Sequence, residues 1–335
     1  MKKSLFYTII AVVIVVVVVA AAFAIIYTQP SKTSTQTPQQ ITIYTGGTGG
    51  TYFPIGSAYA QVLSQNGIPA VAVTSGASIT NILAIKSGNG QAALVQNDIA
   101  YYAYNGLYMF QGNITKNLRG IAALYSETAQ FVVLNSSNIH SLQDLKGKKV
   151  AIGAAGSGNA VDAQVILQAA GVWNSITPVY MDYSKSADSL SLGEIDCGVV
   201  IAGAPTSAIT QISVQTPVRL LPITNDTYHT LISQGYTFFV QQVVPKGTYN
   251  GMSNDTLTVA VRAILVVSTS VPDSVVYNMT KLLFNHLDAL VAASVRAKDI
   301  SLNTAFEGMS IPLAPGAIKY YKEMGLSVPN NLIPS

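Results

Sequence analysis

Hydrophobic and polar positions follow two regimes along this chain, and the change falls near residue 40. Leu5 to Ile26 carries no charged residue and is almost wholly apolar. As a helix rising about 1.5 Å per residue this run measures roughly 33 Å, enough to cross a hydrocarbon core of about 30 Å. A secretory signal has a shorter apolar region, about 7–15 residues, followed by a small-residue cleavage site. Ala22-Phe23-Ala24 resembles such a site, but the length of the run favours an uncleaved anchor. Lys2 and Lys3 ahead of it place the amino terminus inside and the body outside. Residues 1–28 are therefore read as a membrane anchor or signal. Residues 29–40 (QPSKTSTQTPQQ) are polar throughout and read as a flexible stalk.

Beyond residue 40 short β-rich runs alternate with helical periodicity. Ile41–Thr45 predicts a strand ending at Gly46-Gly47-Thr48-Gly49-Gly50, and a helix follows from Tyr52 to Asn66, closed by Gly67. Ala70–Thr74 predicts the next strand, Ser75-Gly76-Ala77-Ser78 opens a helix through Ile85, and Ala92–Val95 predicts a third strand before a tyrosine-rich helix. This βαβαβ rhythm predicts a parallel sheet. It restarts with a strand at Lys149–Ile152, a glycine turn at Gly153–Gly158 and a helix over Ala160–Ala170. Further strands are expected at Val179–Met181, Cys197–Ile201 and Val218–Leu221. Ile121–Leu134 reads as extended connecting chain and Thr237–Val244 as a return crossing. From Asn254 the pattern reads as helical: an apolar stretch to Val267, a long helix from Pro272 towards Leu290, and a last helix from Pro315. The expectation is an α/β protein of two β/α lobes joined by a two-segment hinge. Lobe I comprises 41–130 plus 243–335 and lobe II 131–242. A two-domain α/β enzyme fits the same alternation.

Composition narrows the chemistry. The net charge is only +3 and charged residues make up 10% of the 335 residues. No basic patch with interleaved aromatics occurs, so nucleic acid is not an expected partner. Cys197 is the only cysteine, which excludes an intrachain disulfide, and its apolar surroundings suit a core residue. His140, His229 and His286 lie in unrelated segments, without a G-x-S-x-G elbow or a ligand cluster. No catalytic residue, metal site or cofactor is expected, and the chain reads as a binding protein and not an enzyme.

The candidate chemistry lies at strand ends. Gly46, Gly47, Thr48 and Gly49 precede a helix whose first N–H groups and positive dipole end suit a carboxylate or phosphate. Tyr52 is placed to wall the ligand. The segment lacks the G-x-G-x-x-G fingerprint with its acidic partner, and lacks the Gly-Lys-Ser/Thr of a P-loop. A glycine turn serving packing alone is the competing reading. Ser75 and Ser78 repeat the arrangement at the second strand end, one of them as a helix cap. Gln96 and Asp98 stand at the third, where Asp98 either caps its own helix or receives a ligand ammonium. Gly156, Ser157 and Gly158 are the equivalent in the second unit, so two helix amino termini would face each other around an anion.

Several longer segments carry a family resemblance. TGGTGGTYFPIG, TSGASITN (Thr74–Asn81), VQND (Val95–Asp98), DLKGKKVAIGAAGSGN (Asp144–Asn159), YNMTKLLFNHL (Tyr277–Leu287) and IPLAPGAIKYYKEMG (Ile311–Gly325) resemble, in order, the TAXI family of solute receptors. These receptors serve tripartite ATP-independent periplasmic (TRAP) transporters. The resemblance implies a type II periplasmic-binding-protein fold and an organic-acid or amino-acid ligand such as glutamate or 2-oxoglutarate. It also implies a TRAP membrane permease as partner, driven by an ion gradient. The family's ligand loops fall on Gly46–Tyr52, Ser75–Asn81, Gln96–Asp98 and Gly156–Gly158, which adds Asn81 to the candidates. Ala314 stands where the family usually has His. With the anchor, these features imply a monomer held at the cell membrane with its binding domain outside, or exported if the signal is cleaved. The alternatives are a binding protein of an ABC importer and an exported α/β enzyme.

Overall fold

The structure, a computed structural model, describes residues 40–334. The expected anchor, and the stalk but for Gln40, lie outside the described residues. Among the described residues no helix is long and apolar enough to cross a membrane.

The first α/β unit runs β1 (Ile41–Tyr44), α1 (Tyr52–Gln65), β2 (Ala70–Val73), α2 (Ser78–Lys86), β3 (Ala92–Gln96) and α3 (Asn97–Asn105). The elements start and stop where glycine and polar residues interrupt the apolar periodicity. Gly67, for example, ends α1 with φ +84°, a conformation open to glycine at little cost. A long strand, β4 (Leu118–Leu134), leads to the second unit. That unit runs β5 (Lys149–Ala151), α4 (Gly158–Ala169), β6 (Thr177–Val179), α5 (Tyr183–Ser191), β7 (Cys197–Ala202), α6 (Ser207–Gln215), β8 (Val218–Leu221), α7 (Asn225–Ser233) and β9 (Val240–Val244). The chain returns through β10 (Thr256–Ser268) and closes with α8 (Asp273–Asn285), α9 (Leu287–Ala293) and α10 (Pro315–Glu323).

All ten strands belong to one sheet, in the order β2-β1-β3-β10-β4-β7-β5-β6, with β8 added to β4 and β9 to β10. The expected parallel pairs are present: β1 with β2 and β3, β5 with β6 and β7. The sheet as a whole is mixed, because β10 lies antiparallel to β3 and β4, and β4 antiparallel to β7.

Strands β4 and β10 serve two cores each. Ile121–Tyr125 of β4 and Ala263–Val267 of β10 pack in the first core with α1, α2, α8 and α10. Ala129, Phe131 and Val133 of β4 and Val259 and Val261 of β10 pack in the second with α4 and β7. The two cores therefore meet across two paired strands. The return crossing is thus β10 and not Thr237–Val244, whose β9 is an edge strand beside it. The segment expected to be helical up to Val267 is this strand. A thirteen-residue run buried on both faces shows neither a clean 2.0 nor a clean 3.6 period. Its β-branched Thr, Val and Ile residues suit the strand. The expected long helix to Leu290 is two helices, parted at His286. Pro315 opens α10 as expected; Ala314 before it is buried and donates its N–H to Gly120. Cys197 is a buried free thiol in the second core.

Candidate functional site

Four helices start at one cavity between the two units. Gly46, Gly47, Gly50, Thr51 and Tyr52 at the head of α1, and Ser75–Ser78 at the head of α2, supply one side. Ala154, Ser157 and Asn159 at the head of α4, and Asp182 and Tyr183 at the head of α5, supply the other. Gln96, Glu127, Ile201 and Ala202 complete the lining. The space is about 60 Å³. At about 10–15 Å³ of centre volume per water this holds some four waters, or a compact small molecule in their place.

The local folding of each lobe holds these helix starts by one device used twice. In the first, Asn81 Nδ2 donates to Thr45 O at 2.7 Å and to Leu94 O at 2.8 Å, tying α2 to the ends of β1 and β3. In the second, Asn159 Nδ2 donates to Ile152 O at 2.7 Å and to Val199 O at 3.2 Å, tying α4 to the ends of β5 and β7. Tyr183 Oη donates to Asn159 Oδ1 at 2.9 Å. Both amides are fully occupied within the protein, which fixes the loops.

Neither α1 nor α2 has a side-chain cap, and no acidic residue stands in the first turn of either or of α4. The first N–H groups of a helix have no intrahelical acceptor, so these ends favour an anionic guest. The backbone before α2 is strained to deliver this: Ala77 has φ +68° and Ser75 Oγ accepts from the Ala77 N–H at 2.9 Å. The helix cap expected from Ser75 or Ser78 is therefore absent; Ala77 is the N-cap and Ser78 lies inside the helix. In the second lobe Ser157 does cap, accepting from Ala160 N at 3.1 Å.

The two units are in contact around the cavity. Thr80 N donates to Gly156 O at 3.2 Å, Ala208 N to Gly49 O at 3.1 Å, and Gln96 Nε2 to Asp162 Oδ2 at 2.7 Å, each bond crossing between the units. Tyr108 stacks on Tyr236 with ring centroids 6.2 Å apart at the same contact. Glycine is required where the units touch. A Cβ on Gly158 would overlap the Gln96 side chain, and one on Gly49 would meet Ser184, whereas one on Gly47 would find its nearest neighbour 3.8 Å away, at Asp182 Cβ.

Of the residues expected at the site, Gly46, Gly47, Tyr52, Ser75, Ser78, Gln96 and Ser157 line the cavity. Thr48 belongs to the same loop but is not in the lining; Gly49, Gly156 and Gly158 lie at the contact between units; Asn81 anchors from behind. Asp98 is buried beside Asp162 and does not line the cavity.

The acid that does is Glu127, in the part of β4 where the two cores meet. It is only 3% exposed, and Tyr52 Oη donates to its Oε2 at 2.7 Å. Burial pushes its carboxyl up to about 8, with the Tyr52 hydrogen bond opposing and the nearby Asp98 adding to the rise. Asp182 is the other acid of the lining; it sits at the rim and caps α5 by accepting from Lys185 N at 2.9 Å. No Lys, Arg or His is in the lining. The sequence signal for Glu127 was its place inside a strand otherwise built for burial, Leu124-Tyr125-Ser126-Glu127-Thr128-Ala129. A carboxylate is rarely placed there without a partner or a task.

These features define a two-lobed α/β protein with a cavity at converging helix starts. The chain belongs to the NMT1-like family, which it matches over residues 43–325. Among solved structures it is similar to the periplasmic aliphatic sulphonate binding protein SsuA from Escherichia coli, with 14% identity, 85% of this chain and 83% of that chain covered, and a TM-score of 0.47. It is likewise similar to a putative L-cystine ABC transporter from Listeria monocytogenes, with 16% identity, 78% and 98% covered, and a TM-score of 0.49.

Proposed function

We propose that the protein is an extracytoplasmic solute receptor. It captures a small carboxylate-bearing molecule between its lobes and presents the closed complex to a membrane transporter. One observation carries this reading: helix starts from both lobes, two of them without a cap, converge on a cavity between the lobes that has no basic side chain in its lining. The carboxylate of the guest takes the backbone N–H groups, as anions do at helix amino termini. Glycine loops serving packing alone would leave those groups turned towards an empty space.

Glu127 selects the rest of the guest. An amino acid such as glutamate places its ammonium against the ionised Glu127. A dicarboxylate or keto acid such as 2-oxoglutarate requires Glu127 to stay protonated. With no base in the lining, the ammonium of an amino acid is the group that would hold Glu127 ionised, whereas a second carboxylate would meet its protonated form. The guest docks on the first lobe and the second closes over it, a population shift driven by contacts made in the closed form alone. The segments that bend are β4 and β10.

The motif resemblance supports a TRAP permease as the partner, reached from a receptor held by residues 1–28 or exported after their cleavage. An ABC importer is the alternative, in keeping with the relative described as an ABC transporter. Uptake by reconstituted vesicles separates them, since one needs an ion gradient and the other ATP. The binding reading itself is tested by thermal-shift measurements with L-glutamate, 2-oxoglutarate, succinate, sugars and polyamines. A ligand at a hundred times its Kd stabilises by about 2.7 kcal/mol. Stabilisation by sugars or polyamines alone would refute the carboxylate site, and turnover of a bound compound would make the protein an enzyme.

A further inference from the structure

We infer that closing the lobes binds one proton, held between Asp98 of the first lobe and Asp162 of the second. Asp98 stands in the first turn of α3 and is 2% exposed; Asp162 lies in α4 and is 1% exposed. Their carboxyl groups lie near each other across the contact between lobes, both removed from water. Gln96, the residue before α3, donates its side-chain N–H to Asp162 Oδ2 at 2.7 Å. Asp98 Oδ1 has no donor. Neither acid takes part in an ion pair among the described residues. The titratable groups that face the pair are Glu127 of β4, Tyr102 of α3 and Tyr183 of α5, none of which brings a positive charge.

Two carboxylates near each other and away from water cannot both stay ionised; they share a proton. Which oxygen holds it follows from the surroundings. The backbone amides at the head of α3 favour the charged form of Asp98, while Asp162 has only the Gln96 side chain to favour its own and is raised further by Asp98 and Glu127. Asp162 is the acid and donates to the Asp98 carboxylate, and its second oxygen accepts from Gln96. In the open form the two lobes part and both acids regain water. Closure is then two carboxylates plus one proton from solvent giving one carboxylic acid bonded to one carboxylate.

The sign follows from the direction of the shift. Burial pushes Asp98 up to about 6 and Asp162 well above the ordinary carboxylate range in the closed form, so the pair holds the one shared proton above about pH 6 and takes a second below it. The stabilisation of that form is therefore fully present below the open-state value of about 4. It is lost as pH rises through the raised closed-state values, by up to about tenfold in the closed-to-open ratio per pH unit for one proton. Acid surroundings shut this receptor.

The inference rests on the reading that the lobes open and close, and its test contains no guest. Nitroxide labels on Asn89→Cys and Gln168→Cys, exposed sites on the two lobes, report the distance between them in the full chain, Cys197 being buried. From pH 5 to 8 the population at the closed distance should fall. Asp162→Asn donates to Asp98 and accepts from Gln96 without titrating, so it should reduce that dependence by one proton. Asp98→Asn serves the same purpose should the first variant fail to fold. Glu127→Gln should retain the contribution of the pair. A closed population that ignores pH, or a wild-type slope in both Asn variants, overturns the inference. A ligand screen without a hit, by contrast, would count against the carboxylate reading and leave this result standing.

Discussion

Glu127 and the Asp98–Asp162 pair are buried to nearly the same degree, and none of the three meets a base. What faces them differs. Glu127 looks into a space that protein does not fill, with one hydrogen bond from Tyr52 and room for a guest. Asp98 and Asp162 look at each other, from opposite lobes, with Gln96 as a third partner. A buried acid beside a cavity can be answered by the cation of a ligand. A buried acid beside another acid can be answered only by a proton. On the two proposals above, the same desolvation gives selectivity at one place and a dependence on pH at the other.

The sharpest break in that contrast should come from Gly158→Val. Its side chain would occupy the place of the Gln96 amide, so the acid pair cannot assemble and the cavity cannot close. Binding of any ligand, measured by calorimetry, should fall more than a hundredfold while the circular dichroism of the lobes is kept. Gly47→Val, which meets only Asp182 at 3.8 Å, should cost far less. Equal losses in the two would remove the closed contact from the explanation.

Glu127→Gln should come next. A hydrogen bond to a charged group contributes about 1.5–3 kcal/mol, so amino-acid affinity should drop about 10- to 100-fold while keto-acid affinity is unchanged or improved. Parallel losses for L-glutamate and 2-oxoglutarate would show that Glu127 does not read the ammonium. Smallest of the three, Tyr52→Phe removes one donor from Glu127 and keeps the ring. It should weaken amino-acid binding by about 0.5–1.5 kcal/mol, a few-fold, and raise the pH at which that binding sets in, since the lost hydrogen bond opposed the rise of the Glu127 carboxyl. An unchanged pH profile would separate the tyrosine from the acid.

Much of the scaffold was legible in the sequence because glycine and polar punctuation separate its short elements. Gly67 closes α1 and Pro315 opens α10 where such residues usually act. The glycine loops at Gly46–Gly50 and Gly156–Gly158 announced helix starts, and both lie at the cavity or at its rim. Strand β10 was not legible, since a long apolar run buried on both faces loses the periodicity that distinguishes strand from helix. Glu127 was hidden for a related reason. It sits within β4, read as connecting chain, and its meaning depends on β10, α1 and α4 being brought around it by pairings far apart in sequence. Asp98 was noticed, but its partner Asp162 stands 64 positions away on a helix of the other lobe, and no local pattern links them.

The sheet that passes unbroken through both halves has a mechanical consequence. The opening proposed above requires flexing two paired strands, not turning about a loose linker. Glu127, which lines the cavity, is mounted on one of those strands. In that proposal occupancy of the chamber and curvature of the beam become a single variable, and substitutions at Ser126, Glu127 or Thr128 should alter stiffness and grip together.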